Sequence, residues 1–248
     1  MRLSFLKYKK NTESTNIKSE TIKYISHDLK SLLTNLTLNK IGVEIGGPSS
    51  SGITIYENAR NIDNIIFSAN TIWSNHTTEY KYFRDKKGNV IINDAASGIN
   101  VASGVYDFVF ASHSLEHIAN PIKALKEWLR ITKPSSPIIL ILPERSMTFD
   151  HNRNITLFST LLSQYEKNVG EDDLSTLDEI LEKHDLSMDP PAGSFEQFKL
   201  RSLDNFNNRC LHHYVYSPEL LKEICSYLNC EFIYTKTDGI NIWFIMKS

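Results

Sequence analysis

Short β-branched and aliphatic runs alternating with helix-forming stretches constrain this chain more than any other feature. Ile41–Ile45, Asn64–Ser68, Val90–Ile92, Tyr106–Ala111 and Ile138–Leu142 are too short for ordinary helices and read as strands. Between the last two, Pro121–Ile131 predicts a helix with Asn120 as its cap, proline at its first position and Lys133-Pro134 as its stop. Ahead of the first, Glu20–Leu38 carries Ile22, Ile25, Leu29, Leu32, Leu33 and Leu36 at helical spacing, one buried face. Strands that alternate with helices give a parallel sheet with right-handed crossovers, and ligands bind outside the carboxyl ends of its strands. The chain ends differently. Ser217 leads a helix over Pro218–Tyr227, and Glu231–Lys236 and Ile240–Met246 flank Thr237-Asp238-Gly239 as an antiparallel hairpin. The pattern predicts an α/β fold with a seven-stranded, mostly parallel sheet and a C-terminal antiparallel hairpin. The polar stretch from 145 to 214 carries no strand signal and is read as an insertion within a single domain spanning 1–248.

Composition narrows the functions open to such a fold. With 27 Lys and Arg against 29 Asp and Glu, the net charge is −2, so there is no bulk cationic field for nucleic acid or an anionic membrane. The longest purely aliphatic run, Ile138–Leu142, falls far short of a bilayer span, so no membrane insertion is expected. Met1–Lys10 is basic but leads into polar Asn11–Thr15 and not into an apolar stretch, so no signal peptide is expected. Three cysteines, Cys210, Cys225 and Cys230, form no Cys-x-x-Cys pair, and the expectation is a cytoplasmic, reducing setting.

The sharpest local signal is Val43-Glu44-Ile45-Gly46-Gly47-Pro48, a carboxylate inside a strand followed at once by two glycines. Glycines at such a turn admit a ligand close to the backbone, and the carboxylate can accept hydrogen bonds. The third glycine of a dinucleotide fingerprint and the Gly-Lys-Ser/Thr of a phosphate loop are missing, so neither motif is supported and a nicotinamide oxidoreductase is disfavoured. Further segments follow in order: Ile92-Asn-Asp-Ala95, then Tyr106-Asp-Phe-Val109, then Ala111-Ser-His-Ser-Leu-Glu-His-Ile118. Over roughly Leu38–Glu144 the chain resembles the class I S-adenosylmethionine-dependent methyltransferases, which have a Rossmann-like fold. The resemblance implies S-adenosylmethionine as cofactor. It puts Glu44, Gly46 and Gly47 at the methionine moiety, Asp94 and Ala95 at the adenine, and Ser112 and His113 in the loop lining the transfer site. That family usually carries an acid at the end of the second strand. Here that stretch reads Ile65-Ile-Phe-Ser-Ala-Asn70, so ribose contact falls to Ser68, Asn70 or backbone, while Asp63 is read as a turn residue.

Thr148–Thr156, Gly170–Leu174, Glu182–Leu186 and Asn208–Tyr216 resemble a bacterial subgroup of these enzymes associated with surface and capsular polysaccharide synthesis. That resemblance implies O-methylation of a sugar hydroxyl, or a phosphate-type oxygen, on a polysaccharide or its nucleotide-linked precursor. Tyr214 stands where the subgroup has a third histidine, and Ser135-Ser136 where it has two glycines. Methyl transfer to an unactivated hydroxyl needs an in-line nucleophile and a base for its proton. Asp150, His151, His212 and His117 are the catalytic candidates, with Asp150 either the base itself or the group that orients a histidine. Arg153, His213 and Tyr214 are the substrate-binding candidates, and Arg209 adds charge to a cap over a polyhydroxyl or anionic acceptor. Glu171, Asp172 and Asp173 read as a solvated helix start. His113 and His117 are four apart and His212 and His213 adjacent, yet neighbouring side chains point apart on an extended segment, so no metal is expected. A small-molecule N- or O-methyltransferase and a non-catalytic scaffold on the same fold are the alternatives. The oligomeric state is open.

Overall fold

The computed structural model describes residues 29–70 and 79–248. The expected opening helix runs over residues 29–37 (α1), and its first part, 20–28, lies outside the described residues. The strands are β1 (Ile41–Ile45), β2 (Asn61–Ile66), β3 (Glu79–Phe83), β4 (Lys86–Ile92), β5 (Phe108–Ser112), β6 (Pro137–Pro143), β7 (Glu231–Asp238) and β8 (Asn241–Lys247). They form one sheet in the order β3-β4-β2-β1-β5-β6-β8-β7. The five central strands are parallel; β3 pairs antiparallel with β4, and β8 with both β6 and β7. The sheet has eight strands, not seven. The added strand, Glu-Tyr-Lys-Tyr-Phe, alternates exposed charges with buried Tyr80 and Tyr82. Its hairpin turns at Arg84, which takes positive φ without glycine or asparagine.

Both faces of the central strands are covered, which is why they read as continuous apolar runs. Val43, Ile45, Val109, Ala111, Leu140 and Leu142 face the helices α3 (Pro121–Ile131), α4 (Phe158–Glu166) and α8 (Pro218–Tyr227). Ile62, Phe108, Phe110, Ile139 and Ile141 face α1 and α2 (Ile53–Asn58). The predicted caps form: Asn120 Oδ1 accepts from Lys123 N, and Ser217 Oγ from Leu220 N. At the C-terminal hairpin, β7 and β8 are joined at Gly239, which has a φ of 58°. Asp63 is not a turn residue. It lies within β2 and accepts hydrogen bonds from Asn89 N and Tyr106 Oη, stitching β2 to its surroundings.

Between β6 and α8 the chain builds α4, α5 (Leu177–Lys183), α6 (Phe195–Leu203) and α7 (Asn205–Asn208). Leu177, Ile180, Ala192, Phe198 and Leu211 give this segment a small apolar cluster of its own. It docks on the β5–α3 connection. His213 N donates to Glu116 O, Tyr214 Oη to Ala119 O, and Ala119 N donates to Glu171 Oε1. β1 and β5 are neighbours whose following chains leave in opposite directions along the sheet, to β2 and to β6, and the crevice at their carboxyl ends is where such sheets bind ligands. Among the described residues no helix is long and apolar enough to cross a membrane.

Candidate active site

A cavity of about 490 Å³ opens at that crevice, within the size range of small-ligand sites. Gly46, Gly47, Pro48 and Ser49 line it from the end of β1, Ile66 and Phe67 from β2, and Asp94, Ala95 and Ala96 from β4. Ser112 at the end of β5 and His113, Ser114 and His117 beyond it line another wall, while Glu171 and Arg209 reach in from the segment between β6 and α8.

The glycine turn is held from beneath. Period-2 alternation sends Val43 and Ile45 to one face of the sheet and Glu44 to the other, so Glu44 does not line the cavity. Its buried carboxylate accepts hydrogen bonds from Tyr56 Oη and Tyr80 Oη, and Tyr56 Oη accepts from Ser49 N. Burial pushes the Glu44 carboxyl up to about 7, a rise that the two tyrosine hydroxyls partly offset. Gly46 and Gly47 have φ of 81° and 72°, and a Cβ on Gly47 would lie 2.3 Å from the Glu44 carboxyl carbon. Only glycine fits there, which leaves the backbone bare toward the cavity. Ser114 Oγ ties the ends of β1 and β5 together by donating to Ile45 O.

Opposite this turn, Asp94 accepts from Ala96 N through Oδ1, and its Oδ2 lies 3.4 Å from the Arg209 guanidinium. Trp128 Nε1 on α3 holds the loop by donating to Ala95 O at 2.8 Å. Arg209 also lies 3.3 Å from Glu171 and stands over the Phe67 ring. Glu171 is therefore a buried part of the wall and not a solvated helix start. Ser68 Oγ accepts from Asn70 N, and neither residue lines the cavity, where Ile66 and Phe67 stand instead.

Behind His117, which lines the cavity, lies a cluster of acids and imidazoles. His212 Nδ1 is 2.6 Å from Asp150 Oδ2, and Arg153 donates to Asp150 Oδ1 at 2.9 Å. Burial raises the Asp150 carboxyl, but these partners outweigh it and hold the carboxyl below its ordinary value. Burial likewise disfavours the His212 cation, yet the bond and charge of Asp150 win and raise its pKa. His117 meets His212 edge to face with ring centres 4.6 Å apart, and its pKa is driven well down, chiefly by burial. Glu116 is wholly buried, with its pKa raised by that burial. His113 takes positive φ, and its Nε2 lies 2.8 Å from Asn241 Oδ1.

Not every expected residue meets this cluster. His151 turns to Asp185 at 2.9 Å. Arg153 is buried and spent on Asp150, Glu179 and the carbonyls of His212 and His213. His213 points away from His212, as neighbours on an extended segment do, toward Asn205 and Glu171, and burial lowers its pKa to about 4. Tyr214 is buried beneath Ala119. In the sequence Glu116 carries no assigned role and Glu171 reads as a solvated helix start. The available signal for Glu116 is an acid inside the apolar stretch Leu115–Ile118, whereas nothing local marks Glu171.

Residues 62–140, about a third of the chain, match the family described as "Methyltransferase domain". An S-adenosylmethionine-dependent methyltransferase structure from Methanosarcina mazei aligns at 11% identity with a TM-score of 0.51, covering 88% of this chain and 96% of that one. Another, from Mesorhizobium loti, aligns at 8% identity with a TM-score of 0.51, covering 86% and 93%. No curated protein matches the sequence significantly. The fold is the Rossmann-like one that these methyltransferase structures share, and the domain match over residues 62–140 points to methyl transfer with S-adenosylmethionine as donor. The cavity suits that cofactor, because the bare Gly46-Gly47 backbone and Asp94 both line a single space of adequate volume.

Proposed function

We propose that this protein is an S-adenosylmethionine-dependent O-methyltransferase whose acceptor is a sugar hydroxyl of a bacterial surface or capsular polysaccharide, or of its nucleotide-linked precursor. The observation that carries this reading is that the glycine turn, Asp94 and His117 line one cavity, with His212 and Asp150 behind His117. The glycine turn and Asp94 are read as its cofactor end and His117 as its acceptor end. When bound, the cofactor supplies an electrophilic methyl group on a sulfonium. Gly46 and Gly47 admit its amino-acid part close to the backbone, Asp94 accepts from the adenine amino group, and Phe67 packs beside the ribose in place of the usual acid. Ser112 and His113 line the wall between the two ends.

At the acceptor end the chemistry favours oxygen over an apolar or aromatic acceptor. Imidazoles and carboxylates gather there, and such groups hydrogen-bond hydroxyls and take up their protons. Asp150 is a positioning residue: it fixes His212 from behind, as a buried carboxylate fixes an imidazole in hydrolytic triads. Arg153 fixes Asp150 in turn. The test is transfer of labelled methyl from S-adenosylmethionine to a panel of nucleotide sugars and capsular oligosaccharides. Label in the sugar supports the reading. Cofactor binding with transfer only to small amines or phenols contradicts the acceptor class, and cofactor binding with no transfer to any acceptor supports a scaffold.

A further inference from the structure

Glu116 stands out because both its carboxylate oxygens are buried with no hydrogen-bond partner among the described residues, and His113 Nδ1 stands 3.6 Å from Oε1. A buried carboxylate left in this way is costly unless a cation or donor meets it. One donor atom from each of Glu116, His117 and His212 lies within 4.8 Å of the others. Both imidazoles are braced from outside the trio. His212 Nδ1 sits on Asp150 at 2.6 Å, and His117 Nδ1 on the Leu211 carbonyl at 3.1 Å. A carboxylate or carbonyl behind each histidine is how proteins fix the tautomer and aim of metal-binding imidazoles. Two imidazoles with one carboxylate suit a borderline divalent ion and leave coordination positions for an outside oxygen.

We propose that Glu116, His117 and His212 hold a divalent transition-metal ion, of which zinc is the type, and that an acceptor hydroxyl binds to it. The ion would ease loss of the hydroxyl proton to water. This departs from the metal-free expectation, which could not see that residues 116 and 212 meet in space. The role in transfer rests on the methyltransferase reading; the binding of an ion does not.

The test is titration of chelator-treated protein with Co2+ alone, followed by visible absorption and calorimetry, with Zn2+ in competition. The wild type should take up one equivalent with the absorption of a low-coordinate nitrogen and oxygen site. E116Q and H212Q should each bind at least about 100-fold more weakly, Asp150→Asn about 10- to 100-fold more weakly, and His151→Gln unchanged. No uptake by the wild type, or uptake unchanged in both E116Q and H212Q, overturns the proposal. Should those variants fail to fold, X-ray absorption of the zinc-loaded wild type decides. Two imidazoles and no sulfur support the site, and any other set overturns it. Calorimetry with S-adenosylmethionine on the same chelated protein separates the two readings. Cofactor binding without metal uptake defeats only this proposal, and metal uptake without cofactor binding defeats only the methyltransferase reading.

Discussion

At the turn after β1, the carboxyl of Glu44 is raised from an ordinary 4.5 to about 7 by burial between Tyr56 and Tyr80. Between those values the folded protein holds a proton that the unfolded chain has released. The Glu44 contribution to stability is therefore fully present below pH 4.5 and is lost as pH rises through 7. Thermal denaturation across pH 4.5–8 should show wild type losing stability relative to Glu44→Gln as pH rises; a constant difference would contradict the buried, protonated carboxyl. Arg153 carries a different load, since it compensates Asp150 and ties the inserted segment together. Arg153→Ala should cost about 3–5 kcal/mol in chemical denaturation, the range for breaking a buried pair, and a loss below 1 kcal/mol would show the pair to be dispensable. At this scale the sequence revealed types better than partners. That Asp150 could orient a histidine was legible, but that His212 and not His151 is its partner depends on which way two adjacent side chains turn.

Elements were the most legible level. Asn120 and Ser217 announce their helices because capping is local, and β1, β5 and β6 announce themselves because strands buried on both faces are apolar throughout. β3 is less legible because its turn, Arg84-Asp85, sets the positive φ on arginine and not on the glycine or asparagine that usually marks a hairpin. Gly88 in β4 has the clearest packing demand of the sheet edge, since a Cβ there would lie 1.7 Å from the Ile62 carbonyl oxygen. Gly88→Ala should destabilise the protein by about 1–3 kcal/mol, the usual cost of overpacking, and full stability would show that β2 and β4 are spaced more widely. Loss of the α3 cap in Asn120→Ala should cost about 1 kcal/mol. That change should also loosen the loop that Trp128 holds at Ala95, which hydrogen exchange of the 93–101 amides would register.

Over the whole molecule, the sheet order places one cavity at the crevice between β1 and β5, and the segment between β6 and α8 adds Arg209 and Glu171 to its wall. The parallel core and its crevice followed from alternation of strands and helices. The contacts between that segment and the core did not, because they join residues such as 94 and 209 that no local pattern links. The claim that the cavity has a cofactor end and an acceptor end is tested most directly by calorimetry of S-adenosylmethionine with wild type, Asp94→Ala and Asp150→Asn. The account predicts micromolar binding by the wild type and by Asp150→Asn. It predicts binding weaker by about 10- to 100-fold for Asp94→Ala, the worth of one hydrogen bond to a charged group. Undiminished binding by Asp94→Ala alongside loss in Asp150→Asn would reverse the two ends and contradict it.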